Sequence, residues 1–356
     1  MEQKKVVVFN GDDASPEVMI PTVEILERMG LPISFEYPLI GQDAIDSVGE
    51  NFPDSTRVAI DSADATFFGS TSGQSTAALF YLRWGKQTYA NVRPCEWMPG
   101  FRSPLAKPEG VDFVVIRENL EDLYLGLEGD IEDLHALNFY SKHARSNLTD
   151  LGPGRYAIKA ITEKGSERII RHAFELASKR AGKKKVTLTS KYNMLSHSDG
   201  LFREIGQSIA SDYPEIEFET FIIDDFLCRM ISDPHALDVV VMPNLYGDIM
   251  SDGAAGLIGG LGLAPSGCYG DDYAYFESAH GTAPDIAGQD IINPTATILS
   301  ACMMLEYLGY TDDAARVNAA VSHCLTNDLI TPELGGSLST TEVGDAVLRR
   351  LAIKAG

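Results

Sequence analysis

Short apolar runs alternate with amphipathic segments along most of the chain, and this alternation restricts the fold more than any other feature. The strand-like runs are "KKVVVFN", "ATFFGS", "VDFVVIRE", "KKVTLTSK", "EFETFIID" and "LDVVVMP". The longest helical segment is "EKGSERIIRHAFELASKRAG", and three helical stretches are expected after residue 294. Strand-like and helical segments that alternate in this way predict an α/β architecture.

Local signals add detail to this architecture. In "SPEVMIPTVEILERMG", we expect Ser15 to cap a helix, Pro16 to occupy its first position and Gly30 to end it.

No linker rich in Pro, Gly and Ser divides the chain, so two lobes would have to share one sheet. There is no strand–GxGxxG–helix unit, and "GSTSGQST" lacks the lysine of a P-loop. A nucleotide cofactor would therefore be held in another way.

Composition narrows the possible partners. The 356 residues include 51 Asp and Glu against 29 Lys and Arg, a net charge of -22, which argues against a nucleic acid or an anionic membrane as partner. The first apolar run is too short for a signal peptide, and no stretch approaches the ~18–20 apolar residues of a membrane span, so we expect a cytosolic protein. The five scattered cysteines contain no C-x-x-C, and we interpret all of them as small buried residues.

Two acids follow the last strand-like run at a helical spacing. Asp248 and Asp252 would share one helix face, where like charges repel, unless Asp248 lies in a first turn that favours acids and Asp252 is solvated. A hard divalent cation would instead remove the repulsion by binding both carboxylates. Asp224 or Asp225, predicted at the end of another strand, could supply a third ligand, and their spacing does not separate them.

Three arginines stand near predicted strand or helix ends. They are Arg83 in "FYLRWGKQ", Arg93 in "YANVRPC" and Arg117 in "VVIRENLEDLY". Each could be an ordinary surface charge, but guanidinium groups bind carboxylates with two parallel hydrogen bonds. Three of them near an acid-bound cation would suit a small polycarboxylate.

Several long motifs occur in one order along the chain. They are "YANVRP", "RENLEDLYLGLE", "SKYN", "NLYGDIMSDGAAGLIGGLGLAPSG" and "FESAHGTAPDIAGQDIINPTA". Together they resemble the β-decarboxylating dehydrogenases, the family of isocitrate, 3-isopropylmalate, homoisocitrate and tartrate/D-malate dehydrogenases, from about residue 5 to 354. The resemblance implies a two-lobed α/β fold with a shared sheet rather than a Rossmann fold. Residues 1–100 and 255–356 would form the large cofactor-binding lobe, and 101–254 the small lobe with the dimer interface.

The resemblance also implies roles for individual residues. The matching metal ligands are Asp224, Asp248 and Asp252, which would hold Mg²⁺ or Mn²⁺; the matching substrate residues are Arg83, Arg93, Arg117 and Asn193. Tyr124 and Lys191 match the catalytic acid and base, and a lysine amine can act as a base where burial beside a cation favours its neutral form. In family dimers the matching lysine and one metal acid reach the neighbouring subunit's site, so a monomer would be inactive.

The segment "HGTAPDIAG", which matches the family's cofactor-binding loop, favours NAD over NADP. Asp285 stands where NAD-dependent members carry an acid, which can accept hydrogen bonds from ribose hydroxyls and repels a 2′-phosphate. The remaining matching cofactor residues are Ala14, Glu277, His280, Gly281, Ala283 and Asn293. The turn "GDDASPE" departs from the family's "GDGIGPE", with Asp13 in place of a glycine, and this change bears on cofactor affinity.

The substrate is left open between several 3-substituted malates. Leu79 and Phe80 stand where isopropylmalate enzymes place two leucines, and a free carboxylate buried against them would be costly, which favours an apolar substituent. The overall sequence instead resembles the short NAD-dependent isocitrate dehydrogenases. Homoisocitrate, tartrate and D-malate are further alternatives, as is a non-catalytic regulatory member. If Leu79 and Phe80 point into the core, they carry no information about the substrate.

Overall fold

A single ten-stranded mixed sheet organises the computed structural model, which describes residues 3–352. The first strands are β1 (Lys4–Phe9), β2 (Ile33–Glu36), β3 (Ala65–Phe68), β4 (Ala90–Glu96) and β5 (Asp112–Glu118). Four short strands follow, β6 (Glu128–Asp130), β7 (Tyr140–Ser141), β8 (Ser146–Asn147) and β9 (Arg155–Ala157). The last are β10 (Lys185–Ser190), β11 (Glu217–Ile222), β12 (Val239–Met242), β13 (Pro265–Tyr269) and β14 (Ala274–Ser278).

Helices cover both faces of this sheet. The first six are α1 (Ser15–Arg28), α2 (Gly41–Val48), α3 (Asp54–Asp61), α4 (Thr76–Phe80), α5 (Glu163–Lys179) and α6 (Ser198–Ala210). The others are α7 (Ile223–Ser232), α8 (Asn244–Ile258), α9 (Thr295–Tyr307), α10 (Thr311–Thr326) and α11 (Thr340–Arg350). The predicted α/β architecture and the three helices after residue 294 are thus confirmed. Within the described range, every helix is too short or too polar to cross a membrane.

The strand order is β11-β10-β12-β5-β4-β13-β14-β3-β1-β2. The strands from β11 to β5 are parallel, as are those from β14 to β2, and the pairs β5–β4, β4–β13 and β13–β14 between them are antiparallel. Short strands β6 with β9 and β7 with β8 form two separate ribbons. One sheet therefore runs through the whole molecule, whereas the division into lobes at residues 100 and 254 stays a prediction.

Burial on both faces explains why the central strands are apolar throughout. In β12, Val240 and Met242 lie in the hydrophobic cluster under α1 and α8–α11, and Val239 and Val241 lie in the cluster under α5 and α6. The first of these clusters extends from β1 to β12. A strand covered on both faces loses the polar alternation of a half-exposed strand, so the two parallel regions of the sheet share one core.

Three local expectations need correction. Ser15 does not cap α1: Ala14 is the N-cap residue, Ser15 is the first helical residue, and the Ser15 hydroxyl has no hydrogen-bond partner in the described part of the chain. Pro16 is accordingly the second helical residue and not the first. Gly30 does follow the helix end, with φ of 68°. Asp13 adopts φ of 54°, a left-handed conformation that Asp tolerates better than most residues, which accounts for an Asp at a turn position where the family has Gly. Of the five cysteines, Cys228 is exposed rather than buried.

Candidate active site

Asp248 and Asp252 lie on one face of α8, directly beyond the end of β12. Asp248 is in the second turn, so the N-terminal dipole that favours acids in a first turn does not explain it. Arginines compensate the two charges within one chain: Arg117 forms an ion pair with Asp248, and Arg93 Nη1 lies 3.3 Å from Asp252 Oδ1 and 3.8 Å from Asp248 Oδ1.

The two arginines come from adjacent antiparallel strands, β4 and β5. Both are buried, and burial together with neighbouring Arg93 lowers the pKa of Arg117 to about 10, which leaves it charged at neutral pH. Arg117 Nε donates to Asn244 Oδ1 at 2.9 Å, and Arg93 Nη1 donates to Ser251 Oγ at 2.7 Å. Gly247 permits this approach, because a Cβ there would lie 2.5 Å from Arg117 Cγ.

Tyr124 completes the cluster from a short 3-10 turn, Leu123–Leu125. Its hydroxyl donates to Asp248 Oδ2 at 2.5 Å, and the Arg117 guanidinium lies 5.0 Å from the ring centroid. Burial and the hydrogen bond to Asp248 raise the pKa of Tyr124, although Arg117 and Arg83 act in the opposite direction. The phenol thus keeps its proton at neutral pH beside the Asp248 carboxylate and near two guanidinium groups.

Lys191 and Asp224 lie apart from this cluster and pair with each other. Lys191 follows β10, and Asp224 lies in the first turn of α7, two residues beyond the strand end that we predicted for it. The hydrogen bond from Lys191 lowers the pKa of Asp224. Asp225 instead accepts a hydrogen bond from Arg229 at 2.8 Å, and Asn193 is exposed. Residues 3–352 of one chain contain no group of three acidic, His or Cys side chains arranged to bind a metal.

A buried ionic network that the sequence analysis missed connects Lys191 with α8. Lys159 Nζ lies 2.7 Å from Asp199 Oδ1 and 3.5 Å from Asp122 Oδ1, and both acids are fully buried. The other oxygen of Asp199 accepts hydrogen bonds from the Lys191 backbone N–H and from the Tyr246 hydroxyl. The network therefore positions the backbone of the predicted base and the first turn of α8. No local pattern could reveal it, because its members are distant in sequence.

Replacing Lys159 with Met is expected to lower the free energy of unfolding by about 3–5 kcal/mol, the usual cost of removing one partner of a buried ion pair. The Oδ1 atoms of Asp122 and Asp199 accept no hydrogen bond elsewhere in the described chain, so they would be left buried and uncompensated. Urea unfolding of the variant measures this effect. Lys164→Met, at an exposed position five residues away, is the control and should change stability little. Equal stability of the two variants would contradict the structural role of Lys159.

Four of the seven predicted cofactor residues line a cavity of about 420 Å³ beyond β14. His280, Gly281, Ala283 and Asn293 line it, with apolar side chains that include Ile286. His280 Nε2 is buried and has no hydrogen-bond partner among the described residues, and burial lowers the pKa of His280. The Asn293 side chain interacts with Glu333, which also lines the cavity. The cavity thus offers apolar walls and one unpaired polar atom.

Contacts from α1 hold the loop beside this cavity. The Ala14 N–H donates to Thr282 O at 3.0 Å, and Ala14 packs in a cluster with Ile292 and Ala283. The Glu17 carboxylate accepts backbone N–H groups of Gly288 at 2.5 Å and Asp290 at 2.6 Å. Asp285, the residue predicted to select NAD, is exposed on the same loop. The sequence analysis did not single out Glu17, although it lies within the turn motif.

Arg83 lies in the helical turn that follows α4, and its Nε donates to the Tyr275 hydroxyl at 3.3 Å. Glu277 lies near all three predicted substrate arginines: burial raises the pKa of Glu277, while Arg83, Arg93 and Arg117 act against this. On α4, Leu79 packs partly against the core, whereas Phe80 is 54 % exposed with its ring 5.7 Å from that of Trp84. Phe80 therefore does not point into the core.

Comparison with known proteins identifies the family to which the chain is similar. The profile of the isocitrate/isopropylmalate dehydrogenase family matches residues 5–347. The chain is 42% identical to the 3-isopropylmalate dehydrogenase of Archaeoglobus fulgidus, covering 97% of this chain and 98% of that protein. It is 41% identical to the 3-isopropylmalate/3-methylmalate dehydrogenase of Methanocaldococcus jannaschii, covering 98% of each.

The fold agrees with the sequence comparison. The crystal structure of isocitrate dehydrogenase from Methylococcus capsulatus superimposes with a TM-score of 0.86 at 36% identity, covering 99% of both chains. Sequence similarity over nearly the whole chain and this structural match confirm the resemblance seen in the motifs. The chain therefore belongs to the isocitrate/isopropylmalate dehydrogenase family, whose members are dehydrogenases that act on a CH–OH group.

Proposed function

We propose that the protein catalyses the NAD-dependent oxidative decarboxylation of a 3-substituted malate to a 2-oxo acid and CO₂, with Mg²⁺ or Mn²⁺. The observation that carries this proposal is the cluster of Arg93, Arg117 and Tyr124 around Asp248 and Asp252. Guanidinium groups bind substrate carboxylates, and the phenol holds a proton that it can donate. NAD, when bound, would accept the hydride from the 2-hydroxyl carbon, and loss of CO₂ would leave C3 to be protonated.

The carboxylates of Asp248 and Asp252 suit a hard divalent cation, which takes oxygen ligands. Within residues 3–352 of one chain, Asp248 and Asp252 are the only acids that form ion pairs with Arg93 and Arg117, so the proposal requires Asp224 from a second subunit as a third ligand. When bound, the cation polarises the hydroxyl and carboxylate oxygens of the substrate and stabilises the negative charge that develops as CO₂ leaves. Arg117 and Arg93, which neutralise the two acids in one chain, are then free to bind the carboxylates of the substrate.

Lys191 and Tyr124 have complementary roles in this proposal. Lys191, from the second subunit, accepts the proton of the 2-hydroxyl group, and Asn193 lies beside it on the same exposed segment. Tyr124 donates a proton to C3 after decarboxylation. The Asp248 carboxylate accepts the hydrogen bond of the phenol and so holds its oxygen toward the cluster.

The cavity beyond β14 fits the adenosine part of NAD. The unpaired Nε2 of His280 can form a hydrogen bond with the edge of a heteroaromatic base, and the apolar walls can pack against its faces. Exposed Asp285 on the same loop would accept hydrogen bonds from the ribose hydroxyls and repel a 2′-phosphate. Glu277 joins this loop to the arginine cluster, where the nicotinamide end would lie.

An active site built from two chains requires a dimer, and we propose a homodimer. Exposed apolar side chains, Leu227 and Ile231 on α7 and Ile249 on α8, lie on the same two helices as Asp224 and Asp248. Burial of such residues against a second copy would bring Lys191 and Asp224 of one subunit to the cluster of the other. The division into lobes and the cytosolic location stay predictions.

The substrate that we favour has an apolar substituent at C3, as in 3-isopropylmalate. Phe80 is exposed beside Trp84, and Leu79 lies next to it on α4, so this helix presents an apolar surface just before Arg83. The chain's similarity to proteins named 3-isopropylmalate dehydrogenase supports this choice. Isocitrate is the second candidate, because the matching crystal structure is that of an isocitrate dehydrogenase.

A substrate panel tests the proposal. NADH formation is measured with 3-isopropylmalate, isocitrate, homoisocitrate, tartrate and D-malate, with NADP in place of NAD and with EDTA in place of Mg²⁺ or Mn²⁺ as controls. We expect the highest kcat/KM with 3-isopropylmalate, a preference for NAD, and loss of activity in EDTA. A higher kcat/KM with isocitrate would reject the proposal that the substrate has an apolar substituent at C3. Inactivity with every acid would support the non-catalytic alternative instead.

A further inference from the structure

One face of β14 leads from the hydrophobic core to the arginine cluster. Tyr273, Tyr275 and Glu277 occupy alternate positions, so their side chains lie on the same face of the sheet. Tyr275 is completely buried among apolar residues that include Phe68 and Leu82. A buried tyrosine hydroxyl normally requires a hydrogen-bond partner, and the partner here is a charged group rather than the backbone.

The Tyr275 hydroxyl contacts one charged residue, Arg83, and lies near a second, Glu277. Arg83 Nε donates to its oxygen at 3.3 Å, which occupies a lone pair and leaves the hydroxyl proton for another acceptor. The Glu277 carboxylate and the Cys268 thiol, which is paired with Tyr275 across β13 and β14, are the nearby groups that can attract this proton. A carboxylate is the stronger acceptor. The hydrogen bond that the structure shows is therefore the one with Arg83, and the remaining hydroxyl proton lies near Glu277, between the predicted substrate and cofactor sites.

This contact leaves the end of the Arg83 guanidinium unpaired. Within residues 3–352, the Arg83 side chain has no ion pair, and its only side-chain hydrogen bond is the one from Nε. Arg93 and Arg117, in contrast, use Nη atoms to contact Ser251, Asp252 and Asp248. A planar guanidinium fixed through Nε keeps the plane and direction of its two Nη groups, which is the arrangement that binds a carboxylate with two hydrogen bonds.

We propose that Tyr275 is a positioning residue for the substrate: its hydroxyl fixes Arg83 through Nε, so that both Nη groups face the carboxylate of the bound acid. The inference rests on the proposed function, because it requires that Arg83 bind the substrate. Tyr275 itself does not touch the acid. Its hydroxyl lowers the cost of ordering Arg83 when the acid binds, so its loss should weaken binding more than it slows the chemical step.

The test compares Tyr275→Phe with a matched variant, Tyr273→Phe. Both remove one hydroxyl from a buried tyrosine on the same face, but the Tyr273 hydroxyl bonds to Thr66 at 2.7 Å and not to an arginine. For each variant, kcat, KM for the acid and KM for NAD are measured. Binding of 3-isopropylmalate and of isocitrate in Mg²⁺ without NAD is measured by calorimetry, and melting curves check the fold.

Tyr275→Phe is expected to raise KM and the dissociation constant for the acid about tenfold, the effect of losing one hydrogen bond to a charged group, while kcat changes less than about twofold. Tyr273→Phe should leave acid binding unchanged. In an Arg83→Lys background, which already loses the Nε contact, Tyr275→Phe should weaken acid binding less than about twofold. Equal acid binding in the two tyrosine variants, or an undiminished effect in that background, would overturn the proposal.

Failure of the proposed function gives a different pattern. Wild-type protein that binds an acid but forms no NADH rejects the catalytic proposal, while the calorimetric comparison still tests Tyr275. Wild-type protein that binds neither acid rejects both proposals, because no substrate would then exist for Arg83 to hold.

Discussion

Replacing Lys191 with Met is expected to lower kcat by about 10²–10⁴-fold, the usual contribution of a general base. Methionine has a similar length but cannot accept the proton of the 2-hydroxyl group. Lys191 lies after β10, held by the hydrogen bond from its backbone N–H to buried Asp199, so its side chain can change without removing that support. Binding of the acid and of the metal should remain close to wild type, which calorimetry in Mg²⁺ measures beside steady-state turnover.

Two further variants separate the proton-accepting role of Lys191 from its charge. Lys191→Arg keeps a cation that can pair with Asp224, but a guanidinium group does not lose its proton in proteins, so turnover should fall as it does in Lys191→Met. Lys179→Met, on the surface at the end of α5, should be as active as the wild type. Near-normal turnover in Lys191→Arg would show that the charge matters and that another group is the base.

The sequence predicted the fold well because the strands have an unusual environment. Strands such as β12 are buried on both faces by separate hydrophobic clusters, and this demands uninterrupted apolar runs that are easily recognised. Their order in the sheet was not predicted. The antiparallel arrangement of β4, β5, β13 and β14 depends on contacts between residues up to about two hundred positions apart, such as the pairing of Cys268 with Asn91.

The exact positions of residues at the helix ends were harder to predict than the presence of the helices. Serine is a common helix-capping residue, but Ser15 is the first residue inside α1. Asp248 lies in the second turn of α8 rather than in the first. A capping residue and an early helical residue have similar local preferences, and the choice between them depends on contacts of the turn with the rest of the protein. Here the Ala14 N–H bonds to Thr282, far away in the sequence.

For the candidate site, too, some features could be predicted from the sequence and others could not. Motifs identified the charged residues, but not how they pair: Arg117 with Asp248, Arg83 with Tyr275, and Lys159 with Asp199 all join distant segments. Lys159 and Tyr275 carry no local signal of their roles, because a lysine or a tyrosine in a short apolar segment is an ordinary surface or core residue. Only the three-dimensional arrangement distinguishes them.

Mixing Lys191→Met with Asp252→Asn is expected to restore up to about a quarter of the wild-type activity, although each variant alone should be nearly inactive. The structure motivates this test, because one chain pairs Lys191 with Asp224 and places Asp252 with Arg93 in a different cluster. If each site takes Lys191 from the second subunit, a mixed dimer contains one site with both native residues and one site with neither. Random exchange makes about half of the dimers mixed, and half of their sites are then intact.

The experiment requires both variants to fold, and Asp252 is a suitable choice because its side chain is half exposed, whereas Asp248 is tied to buried Arg117. The variants are mixed after mild denaturation and refolding, and activity is measured against the fraction of each. Mixing Lys191→Met with Lys191→Arg is the control, since no mixed dimer would then contain an intact site. A site contained within one chain predicts no recovery at any ratio, because each subunit would keep its own defect, and the proposed exchange of Lys191 between subunits would have to be given up.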